Sequence, residues 1–214
     1  MMSTRTFLVS MAFFLIALVA AVWLYPHLPA QVPVHWDLQG NVNGTMSRFG
    51  AAAFPALMIL ALAFLTLLLP RISPRRFEIT PFADVYGIVM LAIQGVMLVV
   101  GLSVLLKGAG HAVPMRAVAM LSVGVLLMVL GNYMGKLRKN FFIGIRTPWT
   151  LANDAVWERT HRLGGWVFML AGVVTVVSLM TGAPVWLMPA AIVVAALIPC
   201  VYSYLVYRRL GGND

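Results

Sequence analysis

The stretch FFIGIRTPWTLANDAVWERTHRLGG, residues 141–165, differs most in composition from the rest of the chain. Its 25 residues include two Trp, three Arg, one His, one Pro and three Gly. The 214-residue chain around it is 62% hydrophobic and 10% charged, with a mean hydropathy of +0.94. A soluble domain is about half apolar and about a quarter charged. The composition therefore predicts a polytopic membrane protein in which this stretch joins two apolar segments.

Six apolar runs in the chain are each close to the roughly 20 residues that a helix needs to cross a bilayer. The first run is longer than the apolar core of a signal peptide, about 7–15 residues, and no small-x-small cleavage site follows it, so we interpret it as a retained span. We predict an all-α polytopic membrane protein of about six transmembrane helices. The predicted spans cover residues 7–25, 51–69, 85–106, 117–133, 163–180 and 185–207.

The Lys and Arg residues lie mainly on one side of the predicted spans. Twelve of the fifteen fall at the two termini and in the second and fourth loops, which share a side. Lys and Arg accumulate on the cytoplasmic side of membrane proteins, so both termini and the quoted stretch are predicted to face the cytoplasm. This placement accounts for most of the net charge of +9. Because no basic patch lies on a separate domain that could dock a duplex, we expect no direct binding of nucleic acid.

The orientation divides the chain into two predicted units. Residues 1–84 form a two-span unit with an extracytoplasmic His-Trp loop, and residues 85–214 form a four-span unit that carries the GIRTPW motif loop. Between the helix ends no predicted span has Asp, Glu, Lys, Arg or His, which counts against an ion-coupled transporter. Gly131 and Gly135 form a GxxxG pair and predict close helix packing. A homo-oligomer, including one that lines a pore, stays open at this point.

The loop PHLPAQVPVHWDLQGNVNGTMSR, residues 26–48, lies on the predicted outer side. Its prolines exclude a regular helix and favour extended backbone. Asn43-Gly44 is a favourable turn dipeptide, so the loop predicts a small hairpin with its turn there. Its aromatic and imidazole side chains suit either the lipid headgroup boundary or docking of a peptide partner. The candidate binding residues of this loop are Pro33, His35, Trp36 and Gly40.

Two patterns in the chain resemble metal sites without meeting their requirements. Oxygen-bearing residues alternate from Asp37 to Thr45, but only one is a carboxylate, and a calcium loop needs a glycine at its turn and a terminal glutamate. His27, His35 and His111 share the outer side, but zinc needs three or four ligands in fixed geometry and these histidines lack ligand spacing. We predict no metal site and no cofactor.

The quoted stretch contains two helix starts. Thr147-Pro148 fits an N-cap followed by proline at the first helical position, and Asn153 offers a second start. Over residues 154–163 the helical period separates an apolar face from a polar one, and Gly164-Gly165 is expected to end or loosen the helix. We predict a short amphipathic helix at the membrane surface before the fifth span. Its apolar face comprises Val156, Trp157, Thr160, His161 and Leu163.

Several side chains of this stretch suit ligand binding. Arg146 beside Gly144 has a planar guanidinium that fits a phosphate or carboxylate, and Trp149 is placed to stack on such a ligand. His161 titrates near neutral pH, but no nucleophile–base–orienter set accompanies it, so we assign no catalytic residue. The candidate binding or signalling residues of this loop are Gly144, Arg146, Thr147, Pro148, Trp149, Trp157, Thr160 and His161.

The motif resembles the signature of the SdpI-like family, the sporulation-delaying-protein immunity family of bacterial membrane proteins. The resemblance runs through residues 144–151 and continues at Trp157, at Thr160-His161 and at Gly164. The outer loop LPAQVPVHWDLQGNVNG resembles the N-terminal domain of unknown function that accompanies this family. Its matching positions are Leu28-Pro29, Pro33, His35-Trp36 and Gly40, with Arg48 as the basic residue after the turn.

The resemblance implies an immunity function in the bacterial inner membrane. Founding members of the family protect a bacterium from a secreted peptide toxin that attacks its membrane, and some hold a transcriptional repressor at the membrane. The implied partners are therefore the lipid bilayer, a secreted peptide outside and a repressor inside. Two other functions stay open on the residues alone: a small-molecule or lipid transporter, and a membrane enzyme that acts at the cytoplasmic face.

Overall fold

A computed structural model describes residues 3–37 and 39–211 of the chain. Within these residues six long helices are apolar enough to cross a membrane, as the sequence predicts. A two-stranded hairpin follows the first helix, and a five-residue helix precedes the fifth long one. The helices are α1 (Thr4–Leu24), α2 (Arg48–Ile72), α3 (Ala83–Gly108), α4 (Met115–Met134), α5 (Pro148–Ala152), α6 (Asp154–Thr181) and α7 (Leu187–Arg209), and the strands are β1 (Gln31–Trp36) and β2 (Val42–Ser47).

The long helices bury many small or polar side chains, and many of their large apolar side chains face outward. On α1 the buried residues include Ser10, Ala17 and Ala21. Val22 on the same helix is 68% exposed, and Trp166 on α6 is 74% exposed. Lipid solvates such side chains, while small residues allow helices to approach closely. The burial pattern therefore agrees with a multi-pass membrane protein.

The helices form two packed groups that share α3. The helices α1, α2 and α3 pack on one another, α4 packs on α6, and α6 packs on α7. α3 also packs on α4 and so belongs to the boundary between the groups. The division of the chain after residue 84 therefore stays a prediction. We call the end of the bundle that carries the hairpin the hairpin end, and the end that carries residues 136–153 the motif end.

Two pairs of glycines bring α4 and α6 into backbone contact. A Cβ built on Gly131 would lie 2.7 Å from the carbonyl oxygen of Gly165, and one built on Gly172 would lie 2.5 Å from that of Gly124. Each pair consists of one glycine from each helix, and the pairs are seven residues apart, two helical turns. Gly135 has no atom within 4 Å of its built Cβ. On α4, the second glycine that packs closely against α6 is therefore Gly124 rather than the predicted Gly135.

The predicted interfacial helix at residues 154–163 is wrong, because α6 runs unbroken from Asp154 to Thr181. Gly164 and Gly165 do not interrupt it. A Cβ on Gly164 would lie 2.6 Å from Ile145 Cδ1, and one on Gly165 would lie 2.8 Å from the carbonyl oxygen of Gly131. The glycines therefore serve close packing against protein. The predicted apolar face is present, but it faces protein rather than lipid.

The predicted hairpin is confirmed and adds a small β element to the helical fold, but the predicted position of its turn is wrong. β1 pairs antiparallel with β2, from Gln31 opposite Ser47 to Trp36 opposite Val42. The chain reverses between these strands, where Gly40 has a φ of +91°. Asn43-Gly44 lies inside β2, because Asp37 completes the turn by accepting hydrogen bonds from the backbone amides of Gln39 and Asn41.

We expect Gly131→Ala to lower the free energy of unfolding by about 1–3 kcal/mol, the cost typical of overpacking. The added methyl would meet backbone atoms of Met169 and Gly165, which cannot rotate away. Gly135→Ala is the matched control, because its methyl meets open space. Thermal unfolding of both variants in detergent, followed by circular dichroism, measures the difference. Equal midpoints for the two variants would contradict the glycine contacts between α4 and α6.

Candidate functional site

The loop between α4 and α5 is built around the side chain of Asn140. Asn140 is fully buried, and its Nδ2 donates to the carbonyl oxygens of Arg138 and Ile143 at 2.9 and 3.1 Å. Its Oδ1 accepts from the backbone amides of Phe142 and Ile143, both at 2.8 Å. One amide side chain therefore supplies hydrogen bonds that a helix or sheet would otherwise supply.

His161 of α6 bonds to the loop through one ring nitrogen and to its own helix through the other. Nδ1 donates to the carbonyl oxygen of Trp157 at 2.9 Å, and Nε2 accepts from the backbone amide of Ile145 at 3.0 Å. One donor and one acceptor correspond to a neutral ring with its proton on Nδ1. The side chain is 1% exposed. His161 is therefore a structural hydrogen-bonding residue in this arrangement.

Gly144 is required where the loop passes over this ring. Its φ is +104°, a backbone conformation that side chains with a Cβ disfavour. A Cβ at this position would lie 2.5 Å from His161 Nε2. The glycine therefore lets the backbone approach the ring closely enough for Ile145 to donate its hydrogen bond.

Trp157 anchors the first turn of α6 in the core of the motif end. Its indole Nε1 donates to the carbonyl oxygen of Leu137 at 2.8 Å, and its ring stacks on His161 with a centroid distance of 3.9 Å. Only 2% of Trp157 is exposed. The cluster around it contains Tyr86 of α3, the helix that the two groups share, and Phe82 just before that helix. Trp157 therefore packs at the junction of the two groups.

A reciprocal capping box starts α5 and connects it to α7. Thr147 Oγ1 accepts from the amide of Thr150, and Thr150 Oγ1 accepts from the amide of Thr147. Thr147 Oγ1 also lies 3.0 Å from Ser203 Oγ of α7. Nearby, the rings of Trp149 and Tyr204 are 5.0 Å apart. The predicted helix start at Thr147-Pro148 is confirmed, and its side chains also bind a second helix.

We call these connections the motif latch, because they join the loop to α6 and α7. Of the eight residues predicted for this loop, the latch brings together Gly144, Thr147, Trp157 and His161. Trp149 packs on its edge, and Pro148 is the first residue of α5. Thr160 is fully buried, and its Oγ1 has no hydrogen-bond partner in the described residues. The latch residues missing from the prediction are Asn140, Thr150 and Ser203.

The exposed surface at the motif end is charged. Arg146 is exposed, and its guanidinium donates to the carbonyl oxygen of Phe141 rather than pointing inward. Lys139 pairs with Asp154, and Arg138 Nη1 lies 3.6 Å from Glu158 Oε1. The anion-binding role predicted for Arg146 stays a prediction.

The four binding residues predicted for the outer loop all lie in the hairpin, and they differ in solvent exposure. His35 is exposed and bonds through Nδ1 to Asn43 Oδ1. Trp36 is half-buried and packs on the apolar cluster that contains Leu28 and Val32. Pro33 lies in β1, and Gly40 lies in the turn.

The turn carries one charged side chain with a shifted pKa. Hydrogen bonds from Asn41, first from its side chain and then from its backbone, hold the pKa of the Asp37 carboxyl below its usual range. Asp37 therefore stays ionised at neutral pH, with its oxygens engaged by the turn. In the residues that the structure describes, no group of three or more His, Cys, Asp or Glu side chains is arranged to hold a metal ion.

Comparison with known proteins identifies relatives of both ends. Residues 136–203 match the sequence profile of the SdpI/YfhL protein family, and residues 12–59 match a domain of unknown function, DUF1648. The chain is 27% identical over 209 residues to the immunity protein SdpI of Bacillus subtilis (strain 168). The aligned region covers 96% of this chain and 98% of that protein. No solved structure matches the chain.

We expect Gly144→Ala to destabilise the motif latch more than its backbone conformation alone would explain. Gly110→Ala is the matched control, since Gly110 has a φ of +95° and open space around its built Cβ. The control should cost about 1–2 kcal/mol, the penalty for a left-handed alanine. Gly144→Ala should cost more, because its methyl also meets His161 Nε2.

Limited trypsin digestion and thermal unfolding measure this difference. The latch loop holds trypsin sites at Lys136, Arg138, Lys139 and Arg146. Gly144→Ala should be cut there faster than both the parent and the control. Equal cutting rates for the two variants would show that the contact with His161 does not hold the loop.

Proposed function

We propose that the chain is a member of the SdpI-like family and an integral membrane immunity protein that protects a bacterium from a secreted, membrane-active peptide. The observation that carries this proposal is the similarity to an immunity protein over nearly the whole length of both chains. The two matched regions contain the two groups of candidate residues: residues 12–59 hold the hairpin, and residues 136–203 hold most of the latch.

The positions of the two groups suggest a division of roles. The hairpin end is proposed to face outward and to meet the peptide. The motif end is proposed to face the cytoplasm, where the exposed side chains of Arg146, Arg159 and Arg162 are proposed to contact a cytoplasmic repressor. Trp157 packs beside α3 in the core of the motif end, so a shift of α3 relative to α6 would alter the latch. Such a shift is the relay that the proposal requires.

The site geometry favours a binding protein over an enzyme at the motif end. A catalytic acid or base must reach the proton that it transfers. His161 is buried, and both of its nitrogens are engaged by backbone groups. An acid–base role for His161 would therefore require the latch to open.

The orientation is tested by cysteine labelling in intact cells. In a Cys200→Ser background, Asn41→Cys should react with a membrane-impermeant maleimide added outside, and Arg159→Cys should react only after permeabilisation. Both positions are exposed, so the comparison reports the side of the membrane. Reaction of Arg159→Cys in intact cells would contradict the proposed placement of the motif end.

The immunity function is tested by deleting the gene from its own bacterium. The deletion strain should lose survival when it is exposed to peptide fractions secreted by that bacterium or its neighbours, and the full-length chain should restore survival. Complementation with the Gly110→Ala variant should restore it, whereas Gly144→Ala should not, because its latch is broken. If no secreted fraction distinguishes the deletion strain from its parent, the immunity proposal is wrong.

A further inference from the structure

A cleft of about 480 Å³ opens at the hairpin end, between the hairpin and three helices. Its walls come from residues 34–37 and Gly40 of the hairpin, the last turns of α3, the first turns of α4 and the start of α7. The two helix groups therefore meet in this cleft as well as in the apolar cluster around Trp157. We call it the hairpin cleft.

The hairpin contributes a strand edge to this cleft. Val34, His35, Trp36 and Asp37 all line it. Three of these residues, Val34 to Trp36, belong to β1, and lining by consecutive residues places the cleft along the edge of the strand rather than over one face. Among the described residues β2 is the only strand paired with β1, and their register is irregular around His35. The other edge of β1 has no strand partner in the described residues, and an extended chain pairs with a sheet at such an edge.

The floor of the cleft is apolar and adaptable. It is formed by side chains of α3, of the α3–α4 connection, of α4 and of α7. Two of these elements present methionines, whose flexible side chains fit irregular apolar ligands. The principal floor residues are Val100, Val104, Val113, Met115, Met120 and Met188.

The rim of the cleft carries unpaired positive charge. Lys107 and Arg116 both line it, and neither forms an ion pair with a carboxylate in the described part of the chain. Asp37 is also on the rim, but its oxygens accept hydrogen bonds from Gln39 and Asn41 within the turn. The cations are therefore available to an anionic group that enters with an apolar ligand.

We propose that the hairpin cleft binds an extended, apolar peptide segment that carries a carboxylate. The peptide backbone pairs with the edge of β1, its apolar side chains contact the floor, and its carboxylate lies between Lys107 and Arg116. A lipid fits the floor and the cations but cannot pair with a strand edge, so the geometry favours a peptide. This inference rests on the proposed function and names the chemistry of the peptide that the protein meets.

The test uses the full-length protein in nanodiscs of phosphatidylcholine and three synthetic probes. The first is a fluorescent pentapeptide of alternating valine and leucine with a free C-terminal carboxylate. The second ends in a carboxamide, and the third is the first peptide N-methylated at alternate residues. We expect the first to bind at least about tenfold more tightly than the second, since hydrogen bonds to charged groups contribute about 1.5–3 kcal/mol. The third should bind more weakly than the first, because it lacks donors for β1.

The double variant Lys107→Gln/Arg116→Gln should remove the preference for the carboxylate and leave binding of the carboxamide unchanged. Arg48→Gln is the matched control, because Arg48 is the third cation of the predicted outer side, lies over the Tyr25 ring and does not line the cleft. It should bind the carboxylate probe as the parent does. The comparison between probes needs no variant, so it stands if the double variant does not fold.

Several outcomes would overturn the proposal. Equal affinity for carboxylate and carboxamide probes would remove the role of the cations, and equal affinity for the N-methylated probe would remove the strand pairing. Displacement of the carboxylate probe by phosphatidylglycerol in the nanodisc would assign the cleft to a lipid headgroup instead. Probe binding as expected, with no sensitivity of the deletion strain, would disprove immunity alone. A sensitive deletion strain with no probe preference would disprove only the cleft assignment.

Discussion

The hydrogen bond from the Ile145 amide to His161 Nε2 is the interaction on which the motif end depends. Backbone groups next to a membrane-embedded core need partners inside the protein, because they have little access to water. The loop after α4 makes neither a regular helix nor a strand up to Thr147. Side chains supply the missing partners instead: Asn140 satisfies the first part of the loop, and His161 satisfies its middle.

This requirement explains why the motif combines residues with such different chemistry. Gly144 allows the backbone to reach the imidazole, and Trp157 fixes the ring by stacking and by its bond to Leu137. Thr147 and Thr150 then start α5 and connect it to α7. The residues whose types suggested ligand binding in the sequence therefore hold helices together. The arginines around them are exposed at the surface.

The same fold leaves an apolar cleft at the hairpin end. The glycine contacts of α4 and α6 bring those helices together through backbone, whereas the hairpin, α3, α4 and α7 leave a cleft between them. Residues of β1, an apolar floor and two cations without a carboxylate partner among the described residues line this cleft.

The sequence by itself determined the six spans, the hairpin and the helix starts at Thr147 and Asn153, because apolar length, proline and capping side chains act locally. It also determined the apolar face of residues 156–163. Only the tertiary structure decided what that face contacts, since a helical stripe of this kind suits protein or lipid equally. It also decided that Gly124 rather than Gly135 accompanies Gly131, and that Asn140, Thr150 and Ser203 belong to the latch. Those outcomes depend on which distant backbone lies opposite each side chain, and local sequence does not contain that information.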